Sequence, residues 1–502
     1  LFQLFKCAYT KSIIQQKVVA KPCNDFLFFG RYPPCLSIYC YLSPFKQGSL
    51  SSSTKKQLNM QYPPPEHRVK LKDFLNDPLA LLHALPQQHP DIAWLRILNR
   101  QVYLIQRPEY AKYILQENHS NFKKGRAYKT LSILLGNGLL NSEGDFWKRQ
   151  RRLAAPAFHR DRINNLNDLF VRHTTNLLKD WKQREGSHIN FTQEMARLTI
   201  GIVCEALFGA SISPDTIKTV WQQVDILNEL AMQRIQQPVQ LPLWVPTPML
   251  LRTRKHVKIL DDIVYGIIRQ RTQNPNNEAN DLLSMLTNAK DEDTGEQMSE
   301  KQLRDEVMTI FLAGHETTVN ALSWMWLLIK KDKTVENQLK AHYWQNLNGN
   351  APSMEQSMQL KYASNVMNEA LRLHPPVYMV GRQAYKPDHL GDFDIGTNTN
   401  CLINIYGIHR HPLYWQNPDS FTPDRFEGFQ QKGDNRFIFM PFGGGARICI
   451  GNNFALTEMH VINALLAQHV EMDLLTPNPR QMPQVTLKPE GGVWMHLKKV
   501  KI

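Results

Sequence analysis

Apolar residues recur at intervals of three and four along most of this chain, the period of a helix with one buried face. PEYAKYILQEN, RINNLNDLFVRHTTNLLKDW and HVKILDDIVYGIIRQR carry the pattern, which predicts helices over most of residues 108–380. Asp77-Pro78 opens an earlier helix, with a capping side chain followed by Pro at the first helical position. Short strand-like runs stand at both ends of the chain. IAWLRI (92–97) and QVYLI (101–105), divided by Asn99-Arg100, predict a hairpin. VTL (485–487) and VWMHL (493–497) predict another that turns at Pro489-Glu490-Gly491-Gly492. Polar stretches at 272–280 and 290–297 read as surface loops, and Pro63–Pro65 as an extended lead-in. No repeat or low-complexity linker divides the chain. The expectation is one mainly α domain with small peripheral β-sheets (α+β) over residues 60–502.

One helix departs from the amphipathic pattern. Ser299 and Gln302 make a capping box, stapled by Met298 and Leu303, and DEVMTIFLAGHETTVNALSWMWLLI follows. That run is too apolar for a surface helix and should cross the interior. It is interrupted by Ala313-Gly314-His315-Glu316-Thr317-Thr318. A Gly there costs about 1 kcal/mol relative to Ala. Consecutive Thr residues bond back to carbonyls one turn earlier and bend a helix. A local widening at this point would make room for a small ligand and water.

Composition changes the picture little. The hydrophobic share is 42% and no run of about 18 apolar residues occurs, so no transmembrane anchor is expected. The net charge of +14 invites a nucleic-acid reading, but residues 1–59 hold eight Lys or Arg against Asp25 alone. Half of the excess therefore sits in that segment, and no nucleic-acid partner is expected. The first methionine is Met60. Residues 1–59 are expected to be a disordered or artefactual extension, with an acid-poor targeting peptide as the rival reading. The seven cysteines show no metal-like spacing, and those after residue 59 (204, 401, 449) are far apart, which fits a reducing, cytoplasmic compartment.

The candidate chemistry centres on PFGGGARICIG, Pro441 to Gly451. A cysteine thiolate such as Cys449 binds haem iron as a fifth ligand and favours splitting of the O–O bond of dioxygen. It needs backbone N–H donors around it, which the glycines at 443, 444, 445 and 451 allow by tight turning and close approach. Phe442 would shield the sulfur, and Arg447 would meet a haem propionate. The bland alternative is a Gly-rich turn beside an ordinary buried cysteine. Activating dioxygen also consumes two protons, which an acid and a hydroxyl can deliver through water, and Glu316 beside Thr317 offers that pair. The alternative there is a kink with a solvent-reaching carboxylate.

These segments resemble the cytochrome P-450 family. Phe442, Gly445, Arg447, Cys449 and Gly451 match its haem-binding signature, and Ala313, Gly314, Glu316 and Thr317 match its oxygen-activating motif, with His315 on the variable position. The resemblance runs in order from about residue 60 to the C-terminus. It implies a helical prism enclosing haem b (iron protoporphyrin IX), with Cys449 as the iron ligand. Glu369, Arg372 and Arg425 match the family's structural triad, with Asp424 where many members have Glu. Alone, Glu369 and Arg372 would be an ordinary i, i+3 surface pair. Trp147, Arg151 and Arg382 match positions that bind haem propionates, and His409 matches a family histidine.

The implied function is a monooxygenase that inserts one atom of dioxygen (O2) into a lipophilic substrate by hydroxylation or epoxidation. A non-enzymatic haem-thiolate sensor and a peroxide-driven or isomerising relative are the alternatives, and the acid–alcohol pair counts against both. Candidate pocket residues lie at 126–140, 225–250, Phe311–Thr317 and Val377–Val380, with Leu131, Leu134, Leu135, Val377 and Met379 prominent. A fatty acid-like or terpenoid substrate follows. Electrons from NAD(P)H would come through a separate ferredoxin or flavodoxin/flavoprotein reductase. That partner would dock on a face bordered by Lys148, Arg149, Arg151 and Arg152 of a monomer.

Overall fold

The computed structural model describes residues 65–502 except 98–99, 210–212, 236–240, 242–244, 274–280 and 434. The expectations for residues 1–59, for Pro63 and Pro64 and for the turn at Asn99 lie outside the described residues.

The helix expected to cross the interior does so. It spans Glu300–Lys331, 32 residues, or about 48 Å at the α-helical rise. Its start is the capping box read from the sequence: Gln302 N donates to Ser299 Oγ, and Ser299 N donates to Gln302 Oε1. From Leu303 to Lys330 most of its side chains are buried. Helices Phe191–Phe208, Lys361–Leu373 and Asn452–His469 pack around it in one hydrophobic cluster. Three of its polar side chains reach partners on other segments: Trp324 Nε1 donates to Leu487 O, Trp326 Nε1 to Asn463 Oδ1, and Asn320 Nδ2 to Thr486 Oγ1. Burying such groups unpaired would be costly.

The expected widening at Gly314–Thr318 is not there, and the helix runs unbroken. Both threonines do bond back, Thr317 Oγ1 to Ala313 O at 2.7 Å and Thr318 Oγ1 to Gly314 O at 3.0 Å. Those bonds add to the backbone ladder rather than replace it. A π-type turn occurs instead at Tyr113–Glu117.

The hairpin of Ile92–Ile97 and Arg100–Ile105 forms as expected, pairing Trp94 with Tyr103 and Leu95 with Val102. It edges a five-stranded sheet completed by Asn400–Ile403, Val380–Ala384 and Phe122–Lys123, in that spatial order. The register sets Arg382 opposite Cys401, on the inner side of the sheet. The C-terminal strands pair differently from the expected hairpin. Leu487–Pro489 pairs with Gln481–Pro483, whereas Trp494–Val500 pairs with His188–Asn190 and Val470–Leu474. Gly492 is glycine for another reason, since its φ is +76° and a Cβ would press on the Asn190 side chain. Asn190 caps the Phe191–Phe208 helix, accepting from Gln193 N. Asp77 caps its helix as read, accepting from Ala80 N with Pro78 at the first turn.

Candidate active site

The loop around Cys449 is shaped by its glycines and by what presses on them. Gly445 has φ +67°, and a Cβ there would collide with the carbonyl of Leu115 in the Tyr113–Glu117 turn. No other residue fits both demands. Cys449 N donates to Phe442 O at 3.0 Å, and Gly443 N to Met440 O at 3.0 Å, which close the loop. The sulfur-bearing residue faces a cavity of about 390 Å³, and that surface is what makes it accessible. Desolvation by the surrounding protein raises the thiol pKa, opposed by the Gly451 N–H and the Arg151 guanidinium. Both opposing groups favour a thiolate.

Phe442, Arg447, Gly451, Trp147, Arg151, Arg382, Ala313, Gly314, Glu316 and Thr317 line the same cavity as Cys449. Segments separated by three hundred residues of chain thus meet at one place. At its rim, basic side chains outnumber acids in contact with them. Arg447 bonds Ser142 O and Glu143 Oε2 and lies 3.7 Å over the Trp147 ring. Arg151 Nη1 donates to Ile448 O, and the buried Arg382 donates to Gly381 O. Lys124 joins them, donating to Leu139 O and Ser142 O. Desolvation, then Arg447 and Arg382, push its ammonium down to about 6 despite Glu143. Arg447 is itself lowered to about 10, first by desolvation and then by Arg382 and Arg151. Cations that depress one another form a site short of anions. Two carboxylates of a haem would supply the missing charge, and the sulfur and apolar walls suit the rest of that group. The residues fit haem.

Glu316 is engaged from three directions. Its Oε2 accepts from Asn228 Nδ2 at 2.8 Å, and its Oε1 accepts from Thr486 Oγ1 and Lys488 Nζ, each at 2.7 Å. Asn228 belongs to helix Pro214–Ile235, while Lys488 and Thr486 come from the Gln481–Pro489 turn region. The neighbouring His315 is a packing residue. It is buried against Thr199, Nδ1 to Oγ1 2.8 Å, and burial lowers its pKa to about 4.

The triad is assembled in full. Glu369 and Arg372 are 0% exposed and form a two-pronged pair at 2.7 and 2.9 Å. Arg425 Nε and Thr422 N both reach Glu369 Oε1 at 2.9 Å. Arg372 continues outward to His409 O, Pro418 O and Ser420 O. The ring of His409 then accepts from Met440 N at 2.9 Å, one residue before the cysteine loop. Burial, with Arg372 and Arg410 nearby, takes His409 down to about 3, so it stays neutral and able to accept. A short relay of hydrogen bonds therefore connects the triad to the loop that carries Cys449.

The basic face expected to meet a redox partner is largely satisfied within the chain. Arg152 Nη2 pairs with Asp291 and Asp293, and Arg149 Nη2 with Glu296. Arg152 and the Thr294 and Asp293 N–H groups hold Asp291 down to about 2. Lys148, the most exposed of the set, pairs with Asp145 on its own helix. Counting charge on one helix missed these acids because they lie about 140 residues further on. Pocket expectations hold for Leu131, Leu134, Leu135 and Val377, which line the cavity. Met379 does not line it, and packs on the N-terminal cluster instead. Part of the 225–250 region, 236–240 and 242–244, lies outside the described residues. Asn228, in the described part of that region, lines the cavity. Lys124, Thr486 and Lys488 are the site residues that sequence reading missed. Each is an ordinary polar residue whose partners are distant in sequence, so no local pattern marks it.

A family model described as "Cytochrome P450" matches residues 69–501. Cyclooctatin synthase of Streptomyces melanosporofaciens is 33% identical over 82% of this chain and 89% of that protein. Cyclooctat-9-en-7-ol 5-monooxygenase of the same organism is 30% identical, over 78% of this chain and 84% of that protein. Leukotriene-B4 omega-hydroxylase 3 of Mus musculus is 29% identical over 74% of this chain and 75% of that protein.

Proposed function

We infer what this protein does from the premise that the chain belongs to the cytochrome P450 family. It is an oxidoreductase, a haem-thiolate monooxygenase, and its relatives include monooxygenases and hydroxylases. The assignment of roles within it rests chiefly on one observation: Cys449, the Ala313–Thr317 segment and the arginine rim share a single cavity.

Haem, when bound, supplies the activation of dioxygen at an iron whose thiolate ligand favours O–O cleavage. Cys449 is the residue that would hold the iron, with Arg151 and the Gly451 N–H favouring its thiolate against the desolvation that raises its pKa. Lys124, Trp147, Arg151, Arg382 and Arg447 would hold the propionates through charge-assisted bonds. Thr317 and Glu316 move protons. The Thr317 hydroxyl donates its hydrogen to Ala313 O, so its lone pairs face the cavity and accept from water. Glu316 is one residue away and exchanges protons with that water once its hold on Asn228 relaxes. The leucines at 131, 134, 135 and 139 keep bulk water out and orient an apolar substrate.

The substrate is lipophilic, of fatty acid-like or terpenoid type, in keeping with these walls and with the names of the relatives. Electrons reach the site from NAD(P)H through a separate ferredoxin or flavodoxin/flavoprotein reductase. The protein works as a cytoplasmic monomer; no helix among the described residues is long and apolar enough to cross a membrane. Titration of the holoenzyme with fatty acids and terpenoids tests the substrate class. At least one member should give the spectral shift of water displacement, and a panel without any such shift contradicts the lipophilic assignment.

Thr317→Ala tests the proton route. Substrate binding should be unchanged, while product formed per NAD(P)H falls about tenfold and hydrogen peroxide release rises to match. The loss is smaller than the hundredfold or more that a complete general acid is worth, because Glu316 and water remain. Unaltered coupling would assign proton delivery to another group.

A further inference from the structure

The polar side chains on the cavity wall differ in how far their hydrogen-bonding capacity is committed. Lys124, Trp147, Arg151, Arg382 and Arg447 gather at the rim, with Tyr128 beside Lys124. Thr309, Thr317 and Thr318 each donate to a carbonyl one turn back, Asp305 O, Ala313 O and Gly314 O. Thr486 donates to Glu316 and accepts from Asn320. Asn228 and Glu316 differ. Asn228 Nδ2 gives one hydrogen to Glu316 Oε2, but Asn228 Oδ1 has no partner among the described residues. Glu316 Oε2 holds that single donor, whereas Oε1 holds two. The pair faces the cavity with acceptors to spare.

Its charge narrows what would bind. Lys488 lies 2.7 Å from Glu316 Oε1 and neutralises the carboxylate. An ammonium would find no net negative charge, and a carboxylate would meet two acceptors and another carboxylate. A neutral O–H suits both the surplus acceptors and the balanced charge. We propose that Asn228 and Glu316 form a subsite for the hydroxyl of a neutral lipophilic alcohol, whose O–H donates to Asn228 Oδ1 or Glu316 Oε2. The enzyme therefore oxidises substrates that already carry one oxygen, rather than hydrocarbons or free fatty acids. This inference rests on the monooxygenase reading and goes beyond it.

Spectral titration of the holoenzyme with farnesol, farnesyl methyl ether and dodecanoic acid tests it. Hydrogen bonds to charged or well-placed groups make the alcohol bind about tenfold tighter than its ether, with the acid weaker than the alcohol. Asn228→Leu should erase the preference for the alcohol, leaving the ether's affinity unchanged or improved. Asn228→Ser, with a hydroxyl of its own, should restore part of it. Equal affinity for alcohol and ether, tighter binding of the acid, no binding of the alcohol, or a preference that survives in Asn228→Leu overturns the subsite. The reduced carbon monoxide spectrum of each protein separates this from failure of the parent reading. A thiolate-type band with no alcohol preference sinks the subsite alone, and absence of the band in the wild type sinks both.

Discussion

Cys449→Ser is expected to yield a folded protein that holds haem poorly and whose reduced carbon monoxide complex lacks the red-shifted band of a thiolate-ligated iron. Monooxygenase turnover should be lost. The change removes one atom type and little volume, so the fold should survive. The Cys449 N to Phe442 O bond and the Gly445–Leu115 contact involve backbone, and serine keeps both. What serine lacks is the soft, anionic donor. Its hydroxyl is far harder to ionise than a thiol, even beside Arg151. A thiolate-type band retained in this variant would place the iron ligand elsewhere. Cys204 and Cys401 are buried and have thiols pushed up to about 12 by desolvation, which makes them poor substitutes.

Glu369→Ala should be as damaging by a different route. It leaves Arg372 fully buried without its carboxylate and removes the acceptor for Arg425 and Thr422 N. Breaking one side of a buried pair costs about 3–5 kcal/mol, against a typical net stability of about 5–15 kcal/mol. Because Arg372 also donates to the carbonyl of His409, the disturbance reaches the Met440 N–H and the cysteine loop. Most chains should therefore purify without haem, with a lowered unfolding temperature. Any holoenzyme that forms should turn over normally, since no triad residue lines the cavity. Glu369→Ala with Arg372→Met should recover only part of the loss. It removes the stranded charge, yet the carbonyls of His409 and Pro418 still lose the Arg372 donor. Normal haem content and stability in the single variant would show that the triad is dispensable.

How much of this was legible from sequence follows from how local each signal is. The central helix was readable at its start because its capping box and staple lie within six residues. The cysteine loop was readable because five constrained positions fall within ten residues, and Gly445 proves constrained twice over, by its φ and by Leu115. The triad's Glu369–Arg372 pair is local, but its burial is not. In isolation it reads as a surface pair, and only the resemblance pointed inward. Strand partners failed for the same reason. An apolar run marks Trp494–Val500 as a strand without saying that it pairs with residues 188–190, three hundred positions earlier. The Pro489–Gly492 stretch carried genuine turn residues, but Gly492 is needed where the backbone passes the Asn190 cap. The grip of Asn228, Thr486 and Lys488 on Glu316 spans up to 172 residues and left no local trace. The acidic loop that covers Arg149 and Arg152 was equally hidden.

One oxygen atom from dioxygen is expected to enter the organic substrate at the cavity beside Cys449. Turnover under isotopically labelled dioxygen, with the substrate found by spectral titration and a surrogate ferredoxin system, measures this directly. The account predicts one labelled oxygen atom in each product molecule and none when the label is supplied as water. Product formed without the label by haem-loaded enzyme, or carrying label from water, would contradict it.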